Sequence, residues 1–212
     1  MSPLTLYVDG YFTNVWDASC FVALTEKHLD FAIARALLHE GSVPQAMRDV
    51  AWIRRIPALQ HGDFWLTESP AIVEYLEAAF PAPDFTRVLP AEPRTRARAR
   101  QIMMWLRADT IALREERPWQ RAVYPAPVAP LSPSAEREAE ELVALAARLA
   151  GSGELGDWSI AHVDLALALM RIADEPMPDG VRAFLDTNLA RPSLRAYIDH
   201  ARPPNAPPRA RS

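Results

Sequence analysis

Cysteine is almost missing from this sequence. Cys20 is the only one in 212 residues, so an internal disulfide is impossible and no CxxC pair exists. A dithiol redox cycle run by the chain's own thiols is thereby excluded, and such usage fits a reducing, cytoplasmic setting. Glycine is scarce (7), and no apolar run reaches the length of a membrane span. The opening MSPLTLYVDG has neither a basic n-region nor a long h-region, so no secretory leader is expected. Charge of one sign is lacking too: 23 basic against 27 acidic residues leave −4, which does not invite nucleic acid. The five histidines (28, 39, 61, 162 and 200) have no ligand spacing, so no metal site is predicted. No GxSxG or Walker motif occurs. GSGELG (151–156) matches GxGxxG letter for letter, but it follows a helical pattern rather than a strand and reads as a helix stop and loop.

Proline, in contrast, is abundant at 20, and half of the residues are hydrophobic, enough for one large domain or two small ones. LTLYVD (4–9) reads as a strand, 15–27 as a helix, and LDFAIA (29–34) as a second strand. Residues 43–52, with Pro44 in the first turn, suit a short helix. PALQ and FWL flank His61-Gly62-Asp63 as a hairpin. TESPAIVEYLEAAF then predicts a helix with Ser69 as N-cap and Pro70 at its first position. Beyond residue 91 the pattern turns helical: a long charged helix over 92–117, another opened by Ser132-Pro133 and closed by Gly151, a third from Ser159, and short helices near 179–188 and 192–201. The expected architecture is an α+β two-domain chain: α/β over 1–81, a linker over 82–91, an all-helical domain over 92–202, and a disordered tail over 203–212.

Three stretches carry chemistry. DGYFTNVWDAS (9–19) leaves a strand and enters a helix through Thr13 and Asn14, two short polar side chains. Arg55-Ile56-Pro57 puts a proline at a strand entrance, where it cannot donate to a ladder and tolerates a cis bond, freeing the backbone of Ile56 for another partner. Thr67-Glu68-Ser69-Pro70 sits at a helix N-terminus, where free amides and the dipole favour an anion; Ser69 adds a hydroxyl and Glu68 could hold an ammonium. Together they suit a zwitterionic amino-acid head group, although Ser69 alone suits a plain N-cap equally well. Arg100, Arg107 and Arg114 recur every seven residues and share a helical face, either as a solvated face or as a wall of positive potential beside an anionic ligand. Cys20 reads as a small buried residue.

RIPAL, TESPAI and the helical half with WSIAHVDLAL make the sequence similar to the glutathione S-transferase superfamily over roughly residues 4–200. ARARQIMMWLRAD and LREERP resemble its bacterial YfcF-like branch. The resemblance implies a thioredoxin-like N-terminal domain with Pro57 in cis, and glutathione as co-substrate without a metal. It implies backbone pairing of Ile56 with the cysteinyl part, Glu68 and Ser69 on the γ-glutamyl group, and Arg55 near the glycine carboxylate. A second pocket, for an electrophile, peroxide or disulfide, would be walled partly by Met103, Met104 and Arg107. Such proteins are usually homodimers.

Three departures stand out. The position where family members usually carry an activating serine or cysteine falls on Asn14, followed by Val15, with Thr13 before it and Tyr11 a weaker candidate. Nu-class relatives resemble this arrangement and favour peroxide and disulfide chemistry. An asparagine usual before the cis-proline is replaced by Ala51, with Trp52 nearby. The usual Ser/Thr-x-x-Asp cap of the helical domain reads Ser159-Ile160-Ala161-His162, so no carboxylate returns to the cap; Asp164 stands two residues on. The expected activity is thiolate stabilisation for conjugation or for peroxide or disulfide reduction. The alternative is a non-catalytic glutathione or hydrophobic-ligand binder.

Overall fold

A computed structural model describes residues 2–36, 47, 55–124 and 126–205. The N-terminal half opens with strand β1 (Leu4–Asp9), whose alternating apolar residues Leu4, Leu6 and Val8 point into the core. Helix α1 (Val15–Glu26) follows, then β2 (Phe31–Ala36). The second strand starts two residues later than the sequence predicts. His28, with φ 53°, ends the helix in a left-handed turn, and the Leu29 N–H still bonds back to the carbonyl of Leu24. β3 (Ala58–His61) and β4 (Phe64–Thr67) form the predicted hairpin, turned at Gly62 with φ +63°. The sheet order is β2-β1-β3-β4, with β1 parallel to β2 (Leu4 opposite Phe31) and antiparallel to β3 (Leu6 opposite Leu59). Helix α2 (Ser69–Ala79) packs against α1. This is a thioredoxin-like α/β domain.

Of the helix predicted over 43–52, only Met47 is described, helical and buried. The rest of that segment, including Ala51 and Trp52, lies outside the described residues.

The second half is helical: α3 (Pro93–Ala108), α4 (Ile111–Glu116), α5 (Gln120–Val123), α6 (Pro133–Leu149), α7 (Ile160–Leu169) running into a 3-10 turn (Met170–Ile172), α8 (Asp179–Leu189) and α9 (Pro192–Ile198). The single helix predicted over 92–117 is in fact two. Asp109 caps α3, and the buried Thr110 hydroxyl donates back to the carbonyl of Leu106, with ψ 47° at Thr110 interrupting the ladder. Ser132 caps α6 through the Ala135 N–H as the sequence predicts, and Gly151, with φ +74°, follows its end.

Helices α1 and α7 are buried on nearly every side, which is why their sequences lack a polar face. They meet at the centre of one hydrophobic core spanning both domains. A buried ion pair fastens the crossing between the domains. Lys27 lies 3.0 Å from Glu77 and donates to the carbonyls of Phe80 and Thr86, while Glu77 accepts the Val88 N–H at 3.0 Å. Lys27 is fully partnered, whereas one oxygen of Glu77 has no hydrogen bond and only Arg87 at 3.5 Å, so the desolvation cost of burying the pair is offset in part. Residues 206–212 of the predicted tail lie outside the described residues; at its start, the carbonyl of Pro203 accepts the Tyr124 hydroxyl at 2.7 Å.

Candidate functional site

At the start of α1 a short loop closes on itself through carboxylates. Asp9 accepts both the backbone N–H of Thr13 (3.0 Å) and its hydroxyl (2.6 Å). Asp17, fully buried one turn into α1, accepts the backbone N–H of Asp9 at 2.6 Å; burial pushes its carboxyl well above the usual range. Asn14 is the N-cap: its side-chain oxygen accepts the Trp16 N–H at 3.0 Å. Its amide donates to Asp17 at 2.8 Å and to the carbonyl of Ile56 at 3.3 Å, so Asn14 also ties α1 to the loop before β3. Its backbone carbonyl accepts the buried hydroxyl of Tyr197 from α9 at 2.9 Å.

Both sequence-derived donor candidates, Asn14 and Thr13, therefore stand at this corner with their donor hydrogens engaged.

Across the cleft, the Ile56–Pro57 peptide is cis. Glu68 precedes α2 with φ 68° and ψ 108°, a left-handed backbone that a residue with a side chain enters at a cost. That twist makes Glu68 the N-cap residue and shifts Ser69 to the first helical position, one place later than predicted. Freed from capping, the buried Ser69 hydroxyl accepts from the Arg107 guanidinium at 2.8 Å. Its own hydrogen is thus left for an incoming acceptor. Arg55 stands 3.7 Å from Glu68, an exposed and weakly bound pair.

Arg107 is the hub. It pairs with Asp164 of α7 at 2.7 Å, donates to the carbonyl of Met103, and stands over the Trp16 ring, 4.0 Å from its centroid. Asp164 is fully buried and also accepts a short hydrogen bond from Ser19 of α1. Arg114, one turn of the next helix along, donates to the carbonyl of Arg107 at 2.7 Å. Trp16, Arg55, Ile56, Pro57, Glu68, Ser69, Arg107 and Arg114 enclose one cleft of ≈ 300 Å³. The arginines with a heptad spacing separate here: Arg107 and Arg114 line the cleft, whereas Arg100 pairs with Glu74 on α2.

Met103 is packed in the core and Met104 is half-exposed, whereas Arg107 lines this cleft. Cys20 is fully buried, its thiol pushed well up by burial, which leaves it unreactive. Among the described residues no group of three or more His, Cys, Asp and Glu is placed to hold a metal, and no helix is long and apolar enough to cross a membrane.

The Ser159 cap departs from expectation. Nδ1 of His162 accepts the Ser159 N–H at 3.1 Å, doing with a neutral imidazole what a carboxylate does in the usual box. Burial pulls the His162 imidazole below its ordinary value, which keeps it neutral and accepting. Asp164 is thereby released for Arg107.

Trp16, Asp164 and Tyr197 escaped the sequence reading. Asp164 was visible only as a misplaced capping residue, and Tyr197 lies in a helix with no local polar pattern.

Comparisons with known proteins agree with this arrangement. The family model described as "Glutathione S-transferase, C-terminal domain" matches residues 92–201, and the corresponding N-terminal domain model matches 18–84. The crystal structure of a glutathione transferase homolog from Burkholderia, with bound glutathione, is 37% identical, covers 92% of this chain and 96% of that one, and superposes with a TM-score of 0.76. Glutathione S-transferase theta-3 of Mus musculus is 36% identical over 73 residues, 34% of this chain and 30% of the relative. Glutathione S-transferase theta-1 of Homo sapiens is 31% identical over 89 residues, 42% of this chain and 36% of the relative. The matches to these two curated relatives thus span about a third of their lengths.

Proposed function

The chain belongs to the glutathione S-transferase superfamily, and from that premise we propose that it binds glutathione in the Ser69–Arg107 cleft and stabilises its thiolate for attack on a second substrate. The observation that carries this reading is the pairing of Ser69 with Arg107 at the N-terminus of α2. Together they present a hydroxyl hydrogen, a guanidinium and the positive end of a helix to one carboxylate. On this reading the γ-glutamyl carboxylate takes Ser69 with Arg107 behind it, and Glu68 holds the ammonium. Ile56 pairs with the cysteinyl backbone beside Pro57, and Arg55 meets the glycine carboxylate.

The sulfur then lies at the N-terminus of α1, beside Thr13 and Asn14, with the Arg107 and Arg114 guanidinium groups lining the same cleft. A positive helix end and nearby cations lower a thiol pKa. The thiolate forms a bond to an electrophilic carbon and expels its leaving group, or attacks a peroxide oxygen, breaking the O–O bond and releasing water or an alcohol, or attacks a disulfide sulfur, breaking the S–S bond and releasing the other thiolate. The same reading takes the protein as a cytoplasmic homodimer, and the likeness of ARARQIMMWLRAD and LREERP supports a relation to the bacterial YfcF-like branch.

A second reading, binding without catalysis, is favoured by one observation: the Thr13 hydroxyl is spent on Asp9, and the Asn14 amide on Asp17 and Ile56. The two separate by the ultraviolet thiolate absorbance of bound glutathione as pH is raised. A thiol pKa well below that of free glutathione supports the enzyme. An unshifted pKa with tight binding leaves the binder.

A further inference from the structure

A second, smaller cleft of ≈ 220 Å³ opens between the start of α5 and the 3-10 turn that follows α7. Trp119, Arg121, Met170, Arg171 and Asp174 line it. Nothing in the proposed glutathione chemistry uses it.

Its polar groups are out of balance. Trp119 is 2% exposed, and its indole N–H has no partner. The Nε–H of Arg121 is buried and also has none, as is that of the neighbouring Arg117. Arg171 donates one N–H to the carbonyl of Arg117 at 2.8 Å, and no carboxylate among the described residues pairs with it. Burial, with Arg114 nearby, pulls the Arg171 guanidinium down to about 10. The single acid of the cleft, Asp174, is half-exposed and stands 3.8 Å from Arg121, too far for a hydrogen bond.

Every one of these unmatched groups is a donor. A buried donor without an acceptor is costly, and a buried cation without an anion more so. Two guanidinium groups around a space this small, one of them with no carboxylate partner among the described residues, are receptor chemistry for a compact oxyanion. Planar forks bind such ions through paired N–H bonds, and the volume falls short of what a drug-sized ligand fills.

We propose that this cleft is an anion site taking a tetrahedral oxyanion of the phosphate class, held by Arg171 and Arg121. Asp174 is its built-in competitor, repelling the anion while the cleft is empty. Because the two clefts share no lining residue, the anion and glutathione bind together.

Calorimetric titration of the full chain with inorganic phosphate, at constant ionic strength in chloride, tests this. A parallel titration with a phosphomonoester shows whether the cleft takes free phosphate or a phosphorylated small molecule. Arg121→Gln is expected to weaken phosphate by roughly tenfold, the equivalent of one lost charge-assisted contact. Asp174→Asn is expected to tighten it severalfold. Asp174 is half-exposed, so Asp174→Asn leaves the packing alone; Arg121 is mostly buried, so the fold of Arg121→Gln is checked by urea unfolding beside the titration. Failure of wild type to bind either ligand at millimolar concentration overturns the proposal. So does affinity indifferent to both substitutions, or phosphate displaced by saturating glutathione, which would put the anion in the first cleft.

Discussion

Two walls of the same cleft are built in opposite ways. The α1 corner is local: Asp9, Thr13, Asn14 and Asp17 satisfy one another within nine residues. The facing seam is assembled from distant chain, with Ser19 of α1, Ser69 of α2, Arg107 of α3 and Asp164 of α7 joined in one buried network. A local wall holds its shape on the strength of its own turn. A seam holds only while both domains are docked, so a ligand held at Ser69 as proposed would report on the packing of the helical half.

The difference can be broken from the seam side with the largest effect. Arg107→Met strands the Asp164 carboxylate in the core, and urea unfolding should lose about 3–5 kcal/mol. Adding Asp164→Asn should recover most of that loss, because the uncompensated charge is gone. A cost for Arg107→Met below about 1 kcal/mol, the scale of a surface pair, would show that the seam does not hold the domains together.

Ser69→Ala spares the Arg107–Asp164 pair and tests recognition alone. Glutathione affinity by calorimetry should fall roughly tenfold to a hundredfold, the worth of one hydrogen bond to a charged group. Its unfolding midpoint should fall by less than that of Arg107→Met, because one Arg107 N–H loses its acceptor while the ion pair with Asp164 stays.

At the local wall, Asn14→Ala removes the cap and the tie to Ile56, for about 1 kcal/mol of stability. Thr13→Val keeps the cap and should cost less. If either raises the thiol pKa of bound glutathione, its donor swings to the sulfur when the ligand arrives.

The smallest effect lies at the foot of α7. Burial holds the folded His162 pKa below its ordinary value of 6.5, so the neutral cap contributes stability above that pH. The contribution is lost as pH falls from 6.5 through the folded value, because the imidazolium can no longer accept the Ser159 N–H. His162→Gln offers an acceptor that does not titrate, and should flatten this part of the stability–pH curve. His200, also depressed by burial, will leave a residual slope.

The local wall was largely legible in the sequence and the seam was not. Thr13 and Asn14 announce a helix start, Ile56-Pro57 a strand entrance and Gly62 a hairpin, because each acts on its immediate neighbours. Even there, reading Ser69 as the cap missed the twist at Glu68, which moves the hydroxyl toward Arg107. The heptad of arginines gave the right face for Arg107 and Arg114, but Arg100 turned to Glu74, a choice set by where α2 packs. Asp164 was invisible as a site residue because its partners lie 57 and 145 positions away. The break at Thr110 was missed for a subtler reason: one hydroxyl bonding to its own helix outweighs a strong helical pattern.

The left-handed backbone at Glu68 has one more consequence. Glycine would occupy that position without penalty, yet the chain carries a bulky charged side chain there at a cost of about 1–3 kcal/mol. If Glu68 holds the ligand ammonium as proposed, stability and recognition pull against each other at one residue. Glu68→Gly should raise the melting temperature while lowering affinity for a ligand ammonium, so a selection for heat resistance alone would be expected to discard this glutamate first.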